Sequence, residues 1–96
     1  MPKAHLMAEN LVVFHCPGCQ YGHNVAVNGA KMENGAGWQW NGSLDSPTFK
    51  PSLLVNKENA SYSPRCHSFV TDGKIQFLND CTHALAGQTV DVPDWE

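Results

Sequence analysis

The feature that most constrains the fold of this chain is the absence of a helical repeat. No segment of ten or more residues keeps apolar side chains at a 3.6-residue spacing, and eight glycines and six prolines interrupt the sequence at short intervals. Short runs of β-branched and aromatic residues lie between these interruptions. The sequence therefore predicts a small all-β protein built from antiparallel hairpins.

Length and charge narrow the class of protein. Ninety-six residues fit one domain, so we expect residues 1–96 to form a single β domain. The formal net charge of −3 argues against nucleic acid as a partner, because phosphate neutralisation needs a basic surface. No apolar run is long enough for a membrane span, and the first residues lack the apolar core of a signal peptide. We expect a cytoplasmic protein that does not contact membranes.

The first predicted hairpin surrounds a pair of cysteines. Leu11–His15 is a β-rich run, and Tyr21–Val27 is its expected return strand. The turn between them carries Cys16 and Cys19 in a C-x-x-C knuckle, which aims both sulfurs at one point. A redox dithiol normally opens a helix, and the residues after Cys19 do not resemble a helix start. In a cytosolic chain the knuckle favours half of a tetrahedral zinc site.

The second predicted hairpin supplies the other half of that site. Asp72-Gly73 is a two-residue turn, so Thr71 should pair with Lys74. Period-two alternation then puts Cys66 and Cys81 on the same face, with His83 on that face too if the strand continues. We predict a single zinc-binding, zinc-ribbon-like domain whose hairpins are tied together by the metal. The predicted zinc ligands are Cys16, Cys19, Cys66 and Cys81.

Three histidines are alternatives to one of those thiolates. His67 or His83 could replace a cysteine if the second hairpin is bulged or ends early, and His23 follows the knuckle by four residues. In a regular hairpin His67 instead lies on the face opposite the cysteines, as a diagonal neighbour of Asp80. A hydrogen-bonded surface pair is the commoner reason for such a pattern, but it could also orient an imidazole as a general base. If the protein is an enzyme, His67 and Asp80 are its candidate catalytic residues.

Shorter patterns indicate the remaining elements. Ser52–Val55 and Gln88–Val92 are predicted strands. Pro47 and Pro51 should confine the residues between them to an edge or a connection, because proline cannot donate to a sheet ladder. The polar, turn-rich stretch Asn56–Pro64 is a predicted loop.

No complete catalytic motif is present in the sequence. The H-x-E of zinc deaminases, H-E-x-x-H, phosphate loops and G-x-S-x-G are all missing. A zinc site with four sulfur ligands is closed and structural, whereas catalysis needs an open position for water. The sequence therefore weighs against an enzyme.

Several long strings resemble a known family. A family of small uncharacterised proteins encoded by phages and prophages is similar to this chain over Cys16–Pro93. The resemblance lies in the strings C-P-G-C, G-W-Q-W-N-G, S-P-T-F-K-P-S-L-L-V, C-H-S-F-V-T-D-G-K-I-Q-F-L and D-C-T-H-A-L-A-G-Q-T-V. Members are often labelled ammonia monooxygenase. That enzyme is a large membrane copper complex, and this chain contains no predicted membrane segment, so the label does not transfer. The resemblance implies a phage origin and a metal site in a domain of unknown function, and a looser one implies that His67 is important.

Three hypotheses for function follow. The first is a zinc-stabilised accessory protein of a phage that acts in the host cytoplasm by binding a protein partner, such as a host enzyme or a defence component. The second is a small zinc-dependent hydrolase in which His67 and Asp80 act beside an open metal position. The third is a zinc-ribbon nucleic-acid binder in which Trp38 and Trp40 stack on bases.

Overall fold

Eight strands make up the regular structure of the described residues. The computed structural model describes residues 2–32, 35–55 and 65–94, and the predicted loop at 56–64 lies outside these ranges. None of the described segments is a helix of the length and hydropathy that a membrane crossing requires. The predicted all-β class is confirmed. In chain order the strands are β1 (Ala4–Ala8), β2 (Leu11–Cys16), β3 (Tyr21–Ala26), β4 (Gln39–Trp40), β5 (Phe49–Val55), β6 (Cys66–Thr71), β7 (Lys74–Phe77) and β8 (Thr89–Asp91).

The first sheet is antiparallel, with the strand order β1-β2-β3. Cys16 pairs with Tyr21 and Leu11 pairs with Ala26, which confirms the first predicted hairpin. The sequence did not indicate β1. Only Ala4 of that strand is buried, so its residues carry no alternating apolar pattern.

The second sheet is also antiparallel, with the order β4-β5-β6-β7-β8. Thr71 pairs with Lys74, which confirms the predicted two-residue turn. Asp72 and Gly73 have φ values of 51° and 78°, the left-handed conformation that a tight hairpin turn needs at both central positions. The last strand, β8, lies within the predicted range Gln88–Val92.

The position of Pro51 differs from the prediction. β5 starts at Phe49 and lies between β4 and β6, so its first residues are neither an edge nor a connection. The pairing of β5 with β6 shifts register between Phe49 and Leu53. A residue without an N–H donor is tolerated there because the ladder is already irregular.

The predicted continuation of the second hairpin toward Cys81 is not formed. β7 ends at Phe77, and a turn follows at 79–80. The backbone of Phe77 instead bonds to Gly87 and Gln88, in the segment that leads into β8. Cys81 therefore lies in a connection beside β6 rather than on a strand.

One hydrophobic core joins the two sheets. Phe14 of the first sheet stacks on Phe49 of the second, with ring centroids 6.0 Å apart. β6 alternates regularly, so that Cys66 points into this core while His67 and Phe69 face outward. The inner and outer faces of β6 therefore carry two different groups of reactive side chains.

Candidate active site and metal centre

A serine, a histidine and an aspartate form a hydrogen-bonded chain on the outer face of the second sheet. Ser52 Oγ lies 3.1 Å from Nε2 of His67, and Nδ1 of the same ring lies 3.1 Å from Oδ2 of Asp80. A carboxylate can only accept, so Nδ1 donates, which leaves Nε2 to accept the serine hydroxyl proton. This is the polarity that an imidazole needs to activate a serine nucleophile.

The second sheet brings the three residues together from distant parts of the sequence. Ser52 belongs to β5 and His67 to β6. Leu54 pairs with His67, so Ser52, two residues earlier on the same face, is a diagonal neighbour of the imidazole. Asp80 comes from the turn that follows β7.

We refer to Ser52, His67 and Asp80 as the triad. Specific side chains hold the backbones of two of these residues in place. The Cys81 sulfur accepts a hydrogen bond from the His67 backbone N–H and donates one to its carbonyl oxygen, both at 3.2 Å. Arg65 Nε donates to the Asp80 carbonyl oxygen at 2.8 Å. These contacts fasten the turn that carries Asp80 to the strand that carries His67.

The triad is open to solvent. The side chains of His67 and Asp80 are 27% and 48% exposed. Leu54 and Phe69, which neighbour His67 across and along the sheet, are 46% and 41% exposed. These two apolar side chains lie beside the same imidazole, so this face suits contact with another molecule.

The sequence identified two of these three residues. His67 and Asp80 were predicted as diagonal neighbours on the face opposite Cys66, and the structure brings them into hydrogen-bond contact. Ser52 was missed. It belongs to no serine-hydrolase motif, and the signals available were that it opens a predicted strand and lies within the string S-P-T-F-K-P-S-L-L-V, which resembles the family.

A second cluster, of three cysteines and a histidine, lies between the two sheets. Ligand atoms of Cys16, Cys19, His23 and Cys66 all lie within 4.8 Å of one another and could hold a metal ion. Cys16 ends β2, Cys19 lies in the turn, and His23 is on β3 diagonally across from Cys16. Cys66, at the start of β6, is the contribution of the second sheet.

The geometry of this cluster fits a tetrahedral ion with nitrogen and sulfur ligands. Bond lengths of about 2.3 Å to sulfur imply sulfur atoms about 3.8 Å apart in a tetrahedron. The Cys16 and Cys66 sulfurs are 3.9 Å apart. His23 is buried, and its Nε2 atom has no hydrogen-bond partner. A buried imidazole that has an unpartnered nitrogen, and a ring nitrogen within 4.8 Å of three sulfurs, is the arrangement expected of a metal ligand.

The pKa values of the three thiols in this cluster also differ from those of ordinary cysteines, in the way expected where thiols are crowded together. A hydrogen bond from Cys66 lowers the pKa of Cys16 to about 3. The same contact, together with burial, raises the pKa of Cys66 above its ordinary range. Burial and the negative Cys16 raise the pKa of Cys19 to about 11. Without a cation only one thiol of this group ionises readily, because the sulfurs are too close and too buried to share more negative charge.

Cys81 falls in a separate group. Its sulfur clusters with the Cys66 sulfur and a ring nitrogen of His83, and not with the knuckle cysteines. The structure thus brings three of the four predicted ligands together, with His23 beside them, while the place of Cys81 in the ligand set stays a prediction. The His83 ring packs over Gly18, where even a methyl side chain would overlap it.

Comparison with known proteins identifies one family. A family model described as "BubE: Bacterial ubiquitination-like system serine protease" matches residues 2–78. The matched range includes Ser52 and His67 and ends two residues before Asp80. No curated protein and no solved structure matches the chain.

This match overturns the function predicted from the sequence. A family of serine proteases is not one of phage accessory proteins that act by binding a partner. The two alternatives have no better support. A zinc hydrolase gives Ser52 no role. For a nucleic-acid binder, the candidate stacking residues Trp38 and Trp40 are half-buried and already hydrogen-bonded. Trp38 donates its indole N–H to Ser52 and Trp40 donates its own to Ser43, in each case to the backbone oxygen. Phage origin stays an inference from resemblance.

Proposed function

Because the chain belongs to the BubE family of bacterial ubiquitination-like system serine proteases, we propose that it is a serine protease with Ser52 as nucleophile. His67 is the general base and Asp80 orients its ring. The observation that carries this proposal is the continuous hydrogen-bonded chain from Ser52 Oγ through the imidazole to the carboxylate. The order of the three residues along the chain has no bearing, since such triads recur in different orders on unrelated folds.

The proposed reaction proceeds in two steps through an acyl-enzyme. As Ser52 Oγ attacks the scissile carbonyl carbon, His67 Nε2 takes the hydroxyl proton, and Asp80 stabilises the imidazolium that forms. The imidazolium then protonates the leaving amine, the carbon–nitrogen bond breaks, and an ester to Ser52 remains. In the second step the same imidazole deprotonates a water molecule that hydrolyses the ester.

The family description suggests the kind of substrate. Ubiquitination-like systems attach one protein to another through an amide bond, so we propose a peptide or isopeptide bond of a protein substrate. An exposed triad on the face of a sheet, flanked by Leu54 and Phe69, suits a macromolecular substrate better than a small molecule in an enclosed pocket.

We further propose that the metal held by Cys16, Cys19, His23 and Cys66 is zinc. Mixed thiolate and imidazole ligands at tetrahedral spacing favour zinc, and four protein ligands leave no position for a catalytic water. Its role is structural: it ties the knuckle of the first sheet to β6 of the second. Thiolate ligands of this kind persist in a reducing compartment, which agrees with a cytoplasmic location.

A fluorophosphonate probe tests the proposed nucleophile. The probe should label the protein at one site, which peptide mass spectrometry should assign to Ser52, because only a serine beside a base reacts readily. Ser52→Ala and His67→Ala should each abolish labelling. Ser46→Ala is the matched control, since it removes an exposed serine hydroxyl outside the triad and should leave labelling unchanged. Absence of labelling in folded wild-type protein, or equal labelling of Ser52→Ala, would contradict the proposal.

A further inference from the structure

A cleft lies next to Ser52 and His67 on the outer face of the second sheet. It encloses about 740 Å³ and is bordered on one side by β4 and β5 and on the other by the segments around residues 29–31 and 37–38. The two segments are in close contact, because a methyl group at Gly37 would meet the Ala30 carbonyl oxygen and the Lys31 side chain. The volume suits a few residues of an extended peptide.

The cleft is continuous with the triad along two paired strands. Pro51, which lines it, directly precedes Ser52 on β5. Phe69, which also lines it, is the next outward-facing residue after His67 on β6. A polypeptide whose scissile bond lies at Ser52 would therefore run naturally into this cleft.

The walls of the cleft combine apolar surface with positive charge. Trp38, Pro51 and Phe69 supply the apolar area. Lys31 and Lys50 are both exposed, and among the described residues that line the cleft no acidic side chain accompanies them. The charge on the described part of the cleft wall is therefore wholly positive, and two ammonium groups in a cleft attract negative charge.

We propose that this cleft binds the substrate polypeptide in extended form and selects an acidic side chain close to the scissile bond, with Lys50 as the main determinant. The proposal rests on the proposed protease function for its choice of occupant. Lys50 is the stronger determinant of the two lysines because it is two residues from Ser52 on the same strand. Trp38 links the cleft to the nucleophile, since its indole N–H donates to the Ser52 carbonyl oxygen at 3.2 Å.

Binding can be measured without turnover in the Ser52→Ala protein. The probes are capped hexapeptides of glycine and alanine that carry a single aspartate, asparagine or lysine at each position in turn. Titration followed by ¹H–¹⁵N NMR should shift the indole N–H resonance of Trp38 more than that of Trp40. The best aspartate peptide should bind about five- to tenfold more tightly than its lysine counterpart at low salt, as expected for an ion pair at a partly exposed site.

Variants at two lysines provide the matched comparison. Lys50→Gln should remove most of the preference for aspartate, and Lys50→Glu should reverse it in favour of lysine. Lys74→Gln makes the same change of net charge outside the cleft and should leave the preference intact. Equal affinity for the aspartate and lysine peptides, or shifts that spare Trp38, would overturn the proposal.

The outcome for the cleft is distinguishable from that for the triad. Fluorophosphonate labelling of Ser52 without any acidic preference would leave the protease function standing and refute the cleft assignment. Acidic preference at Trp38 without labelling of Ser52 would support the cleft as a peptide site and refute the protease function.

Discussion

Replacing Ser52 with alanine is expected to lower kcat/KM for any polypeptide that the protein cleaves by about four to six powers of ten. The alanine variant loses the nucleophile, so no acyl-enzyme can form, and only binding and electrostatic stabilisation remain. Stability should change little, because Ser52 is half-buried and its hydroxyl bonds to a partly exposed imidazole. The measurement is steady-state cleavage of a labelled polypeptide, with circular dichroism as the check on folding.

Asp80 provides a graded comparison within the same assay. Asp80→Asn preserves the shape of the side chain but removes the charge that stabilises the imidazolium, so kcat should fall by about two to four powers of ten. Its effect should be smaller than that of Ser52→Ala. The Asp80 side chain is 48% exposed, so water can partly stabilise the imidazolium when the carboxylate is missing. Retention of at least a tenth of wild-type activity by Ser52→Ala would refute the assignment of the nucleophile.

Removing the metal should have the largest effect on stability. We expect about one zinc ion per chain, and a strong chelator should lower the melting temperature by about 15 to 30 °C or unfold the protein. The physical reason is that the three thiols, two of them buried, and the His23 imidazole would then lie against one another without a cation to compensate their charge and desolvation. Metal analysis before and after dialysis, together with thermal melting, measures both effects.

Single variants separate the two possible ligand sets. Cys16→Ser and Cys66→Ser should each lose zinc whichever set is correct. If His23 is the fourth ligand, His23→Ala should also lose zinc while Cys81→Ser keeps it; the reverse result would support the set of four cysteines. His5→Ala, at an exposed position on β1, is the control and should keep both zinc and melting temperature. Full stability after complete removal of metal would contradict a structural role for the ion.

Local patterns in the sequence were sufficient to predict the hairpins. The turn at Asp72-Gly73 determines which residues of β6 and β7 face each other, and alternation then separates Cys66 from His67. The knuckle likewise determines its own geometry. In both cases the interacting residues are close in sequence, so a turn type and a period of two are enough to derive their arrangement.

The rest of the site depends on pairings between distant segments. Ser52 approaches His67 only through the register of β5 against β6, and the sequence between them carries no two-residue hairpin signal like Asp72-Gly73 from which that register could be derived. The register also shifts near Pro51, so a regular alternation along β5 does not predict which residues of β6 it faces. His23 presented a different difficulty, since any histidine near a knuckle is a candidate. His83 also has a buried Nε2 atom without a partner, and His23 is distinguished only by its place in the cluster with Cys16, Cys19 and Cys66.

The arrangement of β6 has a consequence for how the protein opens and closes in solution. Cys66 and His67 are consecutive, and so are Asp80 and Cys81, so each side chain proposed to assist Ser52 is one peptide unit from a buried sulfur. Local opening that frees either segment would disturb the inner and outer faces in the same event. Amide hydrogens of β6 should therefore exchange slowly and together when the ion is bound. An active site that lies on the surface would in this way share the exchange protection of the core.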